Sequence, residues 1–379
     1  MSKTASVPDQ DALKRVGARV RQRLESDPQA YKVPTDAAEI YAIGDFLSGE
    51  ECRRLTHMID AVARPSELHE TAYVAKFRTS YSGNFDPHDP FIKAISRRID
   101  DVLGLPANVG ENIQGPSLIR VPAWVEDRLG AYYLYFADHK GRYIRLAYAD
   151  DVLGPWHIHQ AGSLQIADSH FLTEPPAVSP EALEQLRAAR AGRSVAISHD
   201  LLTEVTTPHI ASPDVHVDDE NRRIVMYFHG LDGVSRQVSR VATSSDGIHF
   251  DAGPEVLGRT YMRVFQHDGY TYAMSMPGQF YRSRDPLGGF EEGPRLFNSS
   301  MRHSALLRRG NTLLVFWTQV GDVPEHIKLS TIDLADDWTS WTATPGVEVL
   351  RPEYDWEGAD APLEPSVRST AYGHVNQLR

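Results

Sequence analysis

Residues 130–156 read "GAYYLYFADHKGRYIRLAYADDVLGPW". A hairpin rich in Tyr and Phe leads into an apolar strand that ends in Ala. Asp, Gly and Trp close the stretch. Alternating apolar and aromatic residues bounded by Gly, Asp and Pro are the marks of paired β-strands. The strand before it is "PSLIRV", 116–121. The same order then returns. The second copy is "PDVHVD" (213–218), "RRIVMYFHG" (222–230) and "RVATSSDGIHF" (240–250). The third is "MRVFQH" (262–267), "GYTYAMSM" (269–276) and "FYRSRDPLGGF" (280–290). The fourth is "HSALLR" (303–308), "NTLLVFWTQ" (311–319) and "IKLSTIDLADDW" (327–338). A fifth start, "PSVRST", stands at 365–370.

Repeats of about 40–50 residues with four strands each predict a β-propeller. A sandwich would not need the same order four times. The fold class expected is mainly β: a five-bladed propeller over 116–379 whose last blade is incomplete, preceded by a small α+β segment over 1–115. The long gap after the first copy places an insertion at about 157–205, with a helix over 179–192.

Upstream the period changes. Residues 11–26 space their apolar side chains as a helix does, and 39–47 read as a strand. Ser48 followed by Glu51 is a capping box, opening a helix with an apolar stripe at Leu55, Met58, Ile59 and Val62. A second amphipathic helix carries Phe91, Ile95 and Ile99 and ends at Gly104 and Pro106.

The chain has 379 residues and a formal net charge of −12. That charge argues against nucleic acid and anionic membrane as partners. The start lacks the apolar core of a signal peptide, and no run reaches the ~18 apolar residues that span a bilayer. Cys52 is the single cysteine, so neither an internal disulfide nor a cysteine metal cluster is possible. A cytoplasmic protein is the expectation.

The stretches "IYAIGDFLSGEECRRL" (40–55), "FRTSYSGNFDPHDPFIKAISRRIDDVLGLP" (77–106) and "GENIQG" (110–115) resemble bacterial prolyl 4-hydroxylase-type dioxygenases. The resemblance implies iron and 2-oxoglutarate chemistry. Its iron-binding part should come after "GENIQG", where this chain turns into "PSLIRVP" instead. Two His and one carboxylate must converge on such an iron. The His-x-Asp pairs His216–Asp218 and His249–Asp251 both fall inside propeller repeats. The expectation is therefore no metal and no cofactor, with a 2-oxoglutarate-dependent hydroxylase as the alternative.

Residues 116–379 resemble the five-bladed propeller glycosidases, a group that includes arabinanases, β-xylosidases and anhydrogalactosidases. "GPSLIRV", "SPDVHVDDENRRIVMYFHG" and "SSDGIHF" carry the likeness, with the hairpin quoted first. It implies a small saccharide or oligosaccharide bound in an axial channel lined by the first strand of each blade. By that analogy Asp214 is the best-placed catalytic acid. Glu364 and Asp138 are further carboxyl candidates, and His303 is a candidate acid. Arg120, His139, His216, Arg263, Asp360 and Arg368 are the candidate substrate-binding residues, the arginines suiting an acidic sugar. The group usually places a catalytic Asp at the start of blade one. Here that position reads Gly115-Pro116-Ser117, which keeps a non-catalytic carbohydrate-binding propeller open. Asp218 and Asp246 are expected to cap turns, and Tyr132, Tyr133, Tyr135 and Trp156 to pack the blade.

Overall fold

The computed structural model describes residues 10–35, 38–65, 81–82, 85, 89–103, 113–190, 201–367 and 374–378. The chain divides into two compact units, Met1–Asn108 and Val109–Arg379. The division comes earlier than residue 115. Ile113 and Gln114 already pair with Asp138 and Ala137, so "IQG" belongs to a propeller strand.

The first unit holds α1 (Gln10–Ser26), α2 (Gly49–Val62) and α3 (Pro90–Leu103). Two short ribbons accompany them: β1 (Ala30–Lys32) with β2 (Tyr41–Ile43), and β3 (Arg64–Pro65) with β4 (Tyr81–Ser82). The Ser48 capping box is present, with both reciprocal bonds made. Arg98 Nη2 donates to Glu51 Oε1 at 2.9 Å, tying α3 to the cap of α2. The expected α2 stripe is not buried: Ile59 and Val62 are exposed. Of the α3 stripe only Ile95 is buried, and Ile99 is exposed. Ribbons of two or three residues offer no sheet face broad enough to cover two helix stripes.

The second unit is a β-propeller arrangement of four-stranded antiparallel sheets, each in simple up-and-down order. The first sheet is β5 (Ile113–Arg120), β6 (Tyr132–Asp138), β7 (Tyr143–Ala149) and β8 (His157–Gln165). The second is β9 (Ile210–Asp218), β10 (Arg223–Gly233), β11 (Arg236–Ser244) and β12 (Asp251–Ala252). The third is β13 (Arg263–His267), β14 (Tyr270–Ser275), β15 (Gln279–Ser283) and β16 (Glu291–Arg295). The fourth is β17 (Met301–Arg309), β18 (Thr312–Gln319), β19 (Ile327–Asp333) and β20 (Val347–Leu350).

Four blades are present among the described residues, not the five expected. The fifth start does reach the ring. Arg302 Nη1 donates to Val367 O at 3.0 Å, and Gly321 N donates to Ser366 Oγ at 3.0 Å. No named strand comes after Leu350 among the described residues. The insertion is also shorter than expected, because 157–165 is the outer strand β8. The segment between β8 and β9 contains α4 (Pro180–Arg190) and α5 (Leu201–Thr206).

Alternation along a strand sends successive side chains to opposite faces, so an inner blade feeds two cores. In β10, Ile224, Met226 and Phe228 pack with Tyr133, Tyr135 and Leu146 of the first sheet. Val225 and Tyr227, between them, pack with Val264, Ala273 and Tyr281 of the third. A third core joins the third and fourth sheets through Phe265, Met274, Leu313, Val315 and Trp317.

The recurring Asp-Gly-aromatic turn has a physical role. Asp246 Oδ1 accepts from Ile248 N and His249 N, as a turn cap should. The turn offers Gly247 O to the buried Tyr135 hydroxyl at 2.7 Å. One sheet on, Tyr227 donates likewise to Pro286 O at 2.8 Å. These latches and the burial of Tyr133 and Tyr135 agree with blade packing. Asp218 also caps its turn, accepting from Asn221 N at 3.1 Å.

Candidate functional site

The first strands of all four sheets border one cavity of about 990 Å³. β5 contributes Ile113–Pro116, β9 contributes Asp214, β13 contributes Arg263, and β17 contributes Arg302–Leu306. The hairpin tip adds His139 and Lys140, and α5 adds Glu204. His209, His229 and Tyr261 complete the part of the wall that carries imidazole and phenol groups.

Asp214 is the carboxylate that the inner strands bring to this cavity. Its Oδ2 accepts from His216 Nε2 at 2.8 Å and from Val264 N at 2.8 Å. Burial pushes its pKa up, but the charges of His216 and Arg263 and the two hydrogen bonds outweigh burial, and the net shift is downward. His216 moves the other way. Burial opposes its charge, Asp214 favours it, and the result is a raised pKa. The two residues are two apart on one strand and so share a face. Asp214 is therefore held ionised, suited to accept a hydrogen bond, take up a proton or face developing positive charge.

Arg263 lies in the cavity as expected, but its Nε and Nη1 are engaged by main chain. They donate to Ser304 O at 3.1 Å, Ser212 O at 3.1 Å and Pro213 O at 3.2 Å. Arg302 is bound by Glu325, with Nε to Oε1 at 2.8 Å and a second bond between Nη2 and Oε2. Glu325 is fully buried. Lys140 Nζ donates to Glu204 O at 2.9 Å and lies 3.6 Å from its carboxylate.

An aromatic column crosses the wall. The Tyr261 ring lies 4.4 Å from that of His229 and 5.2 Å from that of His303, the latter edge-on. His229 continues to His209 at 6.1 Å. Burial lowers the pKa of His209 to about 3, aided by the charge of Lys140. Burial, with His209 and Arg263 nearby, holds His229 well below the usual histidine range. Both imidazoles are therefore neutral at pH 7. His229 Nδ1 and Thr318 Oγ1, on two cavity-lining residues, have no hydrogen-bond partner among the described residues.

The cavity thus gathers Asp214, Arg263, His303 and His139 from the expected set. Asp138 ends β6 immediately before the lining residues His139 and Lys140. His216 sits behind Asp214 as its partner. Arg120 is not at the cavity: it closes the far end of β5 and lines a separate depression with Arg128 and Asp219. Asp360 is on the surface, paired with His374 at 2.5 Å, and Glu364 is exposed. Neither lines the cavity, because the segment after β20 leaves the strand path that an inner position requires. Arg368 lies outside the described residues.

The two His-x-Asp pairs do not converge. His216 bonds Asp214, while Asp218 pairs with Arg223 at 2.7 Å. His249 is exposed and bonds Asp246. Among the described residues no group of three or more His, Cys, Asp or Glu is placed to hold a metal.

Sequence reasoning missed Tyr261, His209, Lys140, Glu204 and the Arg302–Glu325 pair. Tyr261 had a signal. Aligning the blade starts sets Gly115-Pro116-Ser117, Ser212-Pro213-Asp214 and Tyr261-Met262-Arg263 in register. Lys140, Glu204 and His209 reach the wall from a hairpin tip, an inserted helix and the segment before β9, while Arg302 lies on β17 beside His303 and is held by Glu325 from the loop before β19.

No family model matches the chain. The uncharacterized protein R118 of Acanthamoeba polyphaga mimivirus is 35% identical over 294 residues, covering 71% of this chain and 76% of that protein. Among solved structures, an exo-β-1,3-galactanase from Phanerochaete chrysosporium aligns with a TM-score of 0.40 at 13% identity. That alignment covers 63% of this chain and 50% of the galactanase. An α-L-arabinofuranosidase from Clostridium thermocellum aligns at 0.39 and 15%, covering 64% of this chain and 78% of its own. A family 117 glycoside hydrolase from Zobellia galactanivorans aligns at 0.38 and 13%, covering 64% and 72%. These structural likenesses are loose. The comparisons do not support the resemblance of residues 1–115 to prolyl 4-hydroxylases.

Proposed function

This chain belongs to the family of the mimivirus protein R118, and from that premise we propose that its propeller is a glycoside hydrolase-like module that binds a saccharide in the axial cavity. The observation that carries the reading is the convergence of Asp214, Arg263 and His303, each from the first strand of a different sheet, on one cavity of about 990 Å³. That volume suits a small ligand. A wall of aromatic faces with a few fixed polar groups is how such sites orient one. In this reading Asp214 is the ionised carboxylate, accepting from a sugar hydroxyl or activating water, and His303 supplies the proton. The pair would do the work that two carboxyl groups usually share in glycoside hydrolysis.

A non-catalytic saccharide-binding propeller is the second reading, and one feature favours it. Ser117 stands in blade one where Asp214 stands in blade two, and its hydroxyl is engaged by Val215 N at 2.9 Å. Gly115 cannot carry a replacement carboxylate, since a Cβ there would lie 2.5 Å from Ser212 Cα.

Titration calorimetry with xylobiose, arabinobiose and β-1,3-galactotriose, together with p-nitrophenyl glycoside turnover, tests both readings. Binding with turnover that Asp214→Asn abolishes supports hydrolysis. Binding without turnover supports the second reading. No binding by any saccharide sinks both.

A further inference from the structure

Three successive sheets are opened by a left-handed residue at the same point of the repeat. These are Gly115 (φ 61°), Ser212 (φ 52°) and Tyr261 (φ 60°). Each stands two positions before a residue that clasps a neighbouring inner strand. Ser117 Oγ accepts from Val215 N, Asp214 Oδ2 accepts from Val264 N, and Arg263 Nε donates to Ser304 O. In β5 and β9 the pairing register also shifts across this point. The recurrence makes the left-handed turn a requirement of the fold. Glycine meets that requirement without steric penalty, short polar residues tolerate it, and a bulky residue is an outlier there. The third sheet nevertheless places a tyrosine there. Backbone strain of this kind persists where function requires the side chain.

The Tyr261 side chain shows what it is placed to do. Its ring lines the cavity between the rings of His229 and His303. Gln114, on β5, lines the same cavity. Burial raises the phenol pKa, and burial keeps His229 neutral, so this part of the wall carries polar groups without net charge. The cations nearby are committed: Arg263 to main-chain carbonyls, Arg302 to Glu325 and Lys140 to Glu204.

We propose that Tyr261 is the specificity-determining residue of the axial cavity, its ring stacking on the ring of an uncharged sugar while its hydroxyl hydrogen-bonds a sugar hydroxyl. This rests on the saccharide reading given above. It differs from the acidic sugar that the arginines suggested: of those at the cavity, Arg263 uses Nε and Nη1 on main-chain carbonyls and Arg302 is held by Glu325.

The test uses the full chain, calorimetry with the three neutral saccharides and with galacturonic acid, and thermal melting. The variants are Tyr261→Phe and Tyr261→Gly. Tyr261→Phe should weaken neutral-sugar binding about tenfold, the effect of one lost hydrogen bond, with Tm unchanged. Tyr261→Gly should remove measurable binding, with the relief of left-handed strain offsetting part of the lost ring packing in Tm. Wild-type affinity in both variants would overturn the proposal. So would a lower Tm for Tyr261→Gly with affinity kept in Tyr261→Phe, which would mark the ring as packing. Galacturonic acid bound more tightly than the neutral sugars would overturn the ligand class. If the wild type binds none of the four sugars, the saccharide reading itself falls and takes this proposal with it.

Discussion

The Asp214 carboxylate accepts the main-chain N–H of Val264 at 2.8 Å, so the acidic group that the second sheet brings to the cavity also clasps the third sheet. A structural and a chemical role therefore meet in one oxygen, Oδ2, which also accepts from His216. Variants must be chosen to separate the two.

Asp214→Asn keeps an oxygen for Val264 N, whereas Asp214→Ala leaves that partly buried donor without a partner. An unsatisfied buried donor costs about 1–3 kcal/mol. Thermal melting should therefore rank wild type and Asp214→Asn close together and Asp214→Ala lower. Equal Tm for the two variants would show that the clasp contributes nothing.

The same pair sets a pH response. His216 has a raised folded pKa, so its contribution is complete below the unfolded value of about 6.5 and is lost as pH rises through the folded value. Asp214 has a lowered folded pKa, so its contribution is present above about 3.9 and is lost as pH falls through the folded value. Asp214→Asn should remove the alkaline loss. Denaturant titrations between pH 6 and 9 would show it as a flatter curve than that of wild type.

His209 and His229 act in the opposite sense to His216, since both are buried neutral. Below about pH 6.5 the unfolded chain binds protons that the folded chain refuses. Stability should then fall by about 1.4 kcal/mol per pH unit for each histidine. His209→Asn retains a donor for Thr207 O, which His209 Nδ1 contacts at 2.8 Å. It should reduce the slope between pH 6 and 4 by one proton, measured by urea unfolding at several pH values. An unchanged slope would mean that His209 is not the neutral buried group described here.

Arg302 and Glu325 form a buried pair in which Glu325 is wholly enclosed. Arg302→Met would leave that carboxylate without its partner and cost about 3–5 kcal/mol. The double change Arg302→Met with Glu325→Leu should recover much of the loss, because no charge is then buried. A double-mutant cycle by chemical denaturation measures the coupling.

Gly115→Ala tests the first blade start. The added Cβ would meet Ser212 Cα at 2.5 Å, and φ is 61°. Backbone on both sides leaves no flexible atom to move. A loss of about 1–3 kcal/mol is expected for a residue held in a sparsely populated region, read as a lower Tm. A neutral result would show that the two blade starts can separate.

Local rules made much of this chain legible. The Ser48–Glu51 capping box, the Asp218 and Asp246 turns and the Tyr-rich hairpins each depend on residues a few positions apart, and each forms as its pattern indicates. Four repeats of strand, hairpin and turn correspond to four four-stranded sheets. Asp214, Arg263 and His303 could be named because each opens a repeat, and repetition fixes which strand is innermost. The fifth start misleads for the same reason: "PSVRST" has the local pattern, yet its described residues, 365–367, make side-chain and main-chain contacts without a sheet.

The period, the strand faces, the turns and the residues that begin each blade were determined by the sequence alone, since these depend on dihedral preference and on alternation over a few residues. Only the tertiary structure decided which of those residues meet. Arg120 and Ile113 share one strand, yet they lie at opposite ends of it, and only the second reaches the cavity. Tyr261 comes between His229 and His303 because three sheets are brought around one axis. Convergence of this kind depends on long-range packing between blades, through cores and latches that no local stretch of the chain contains.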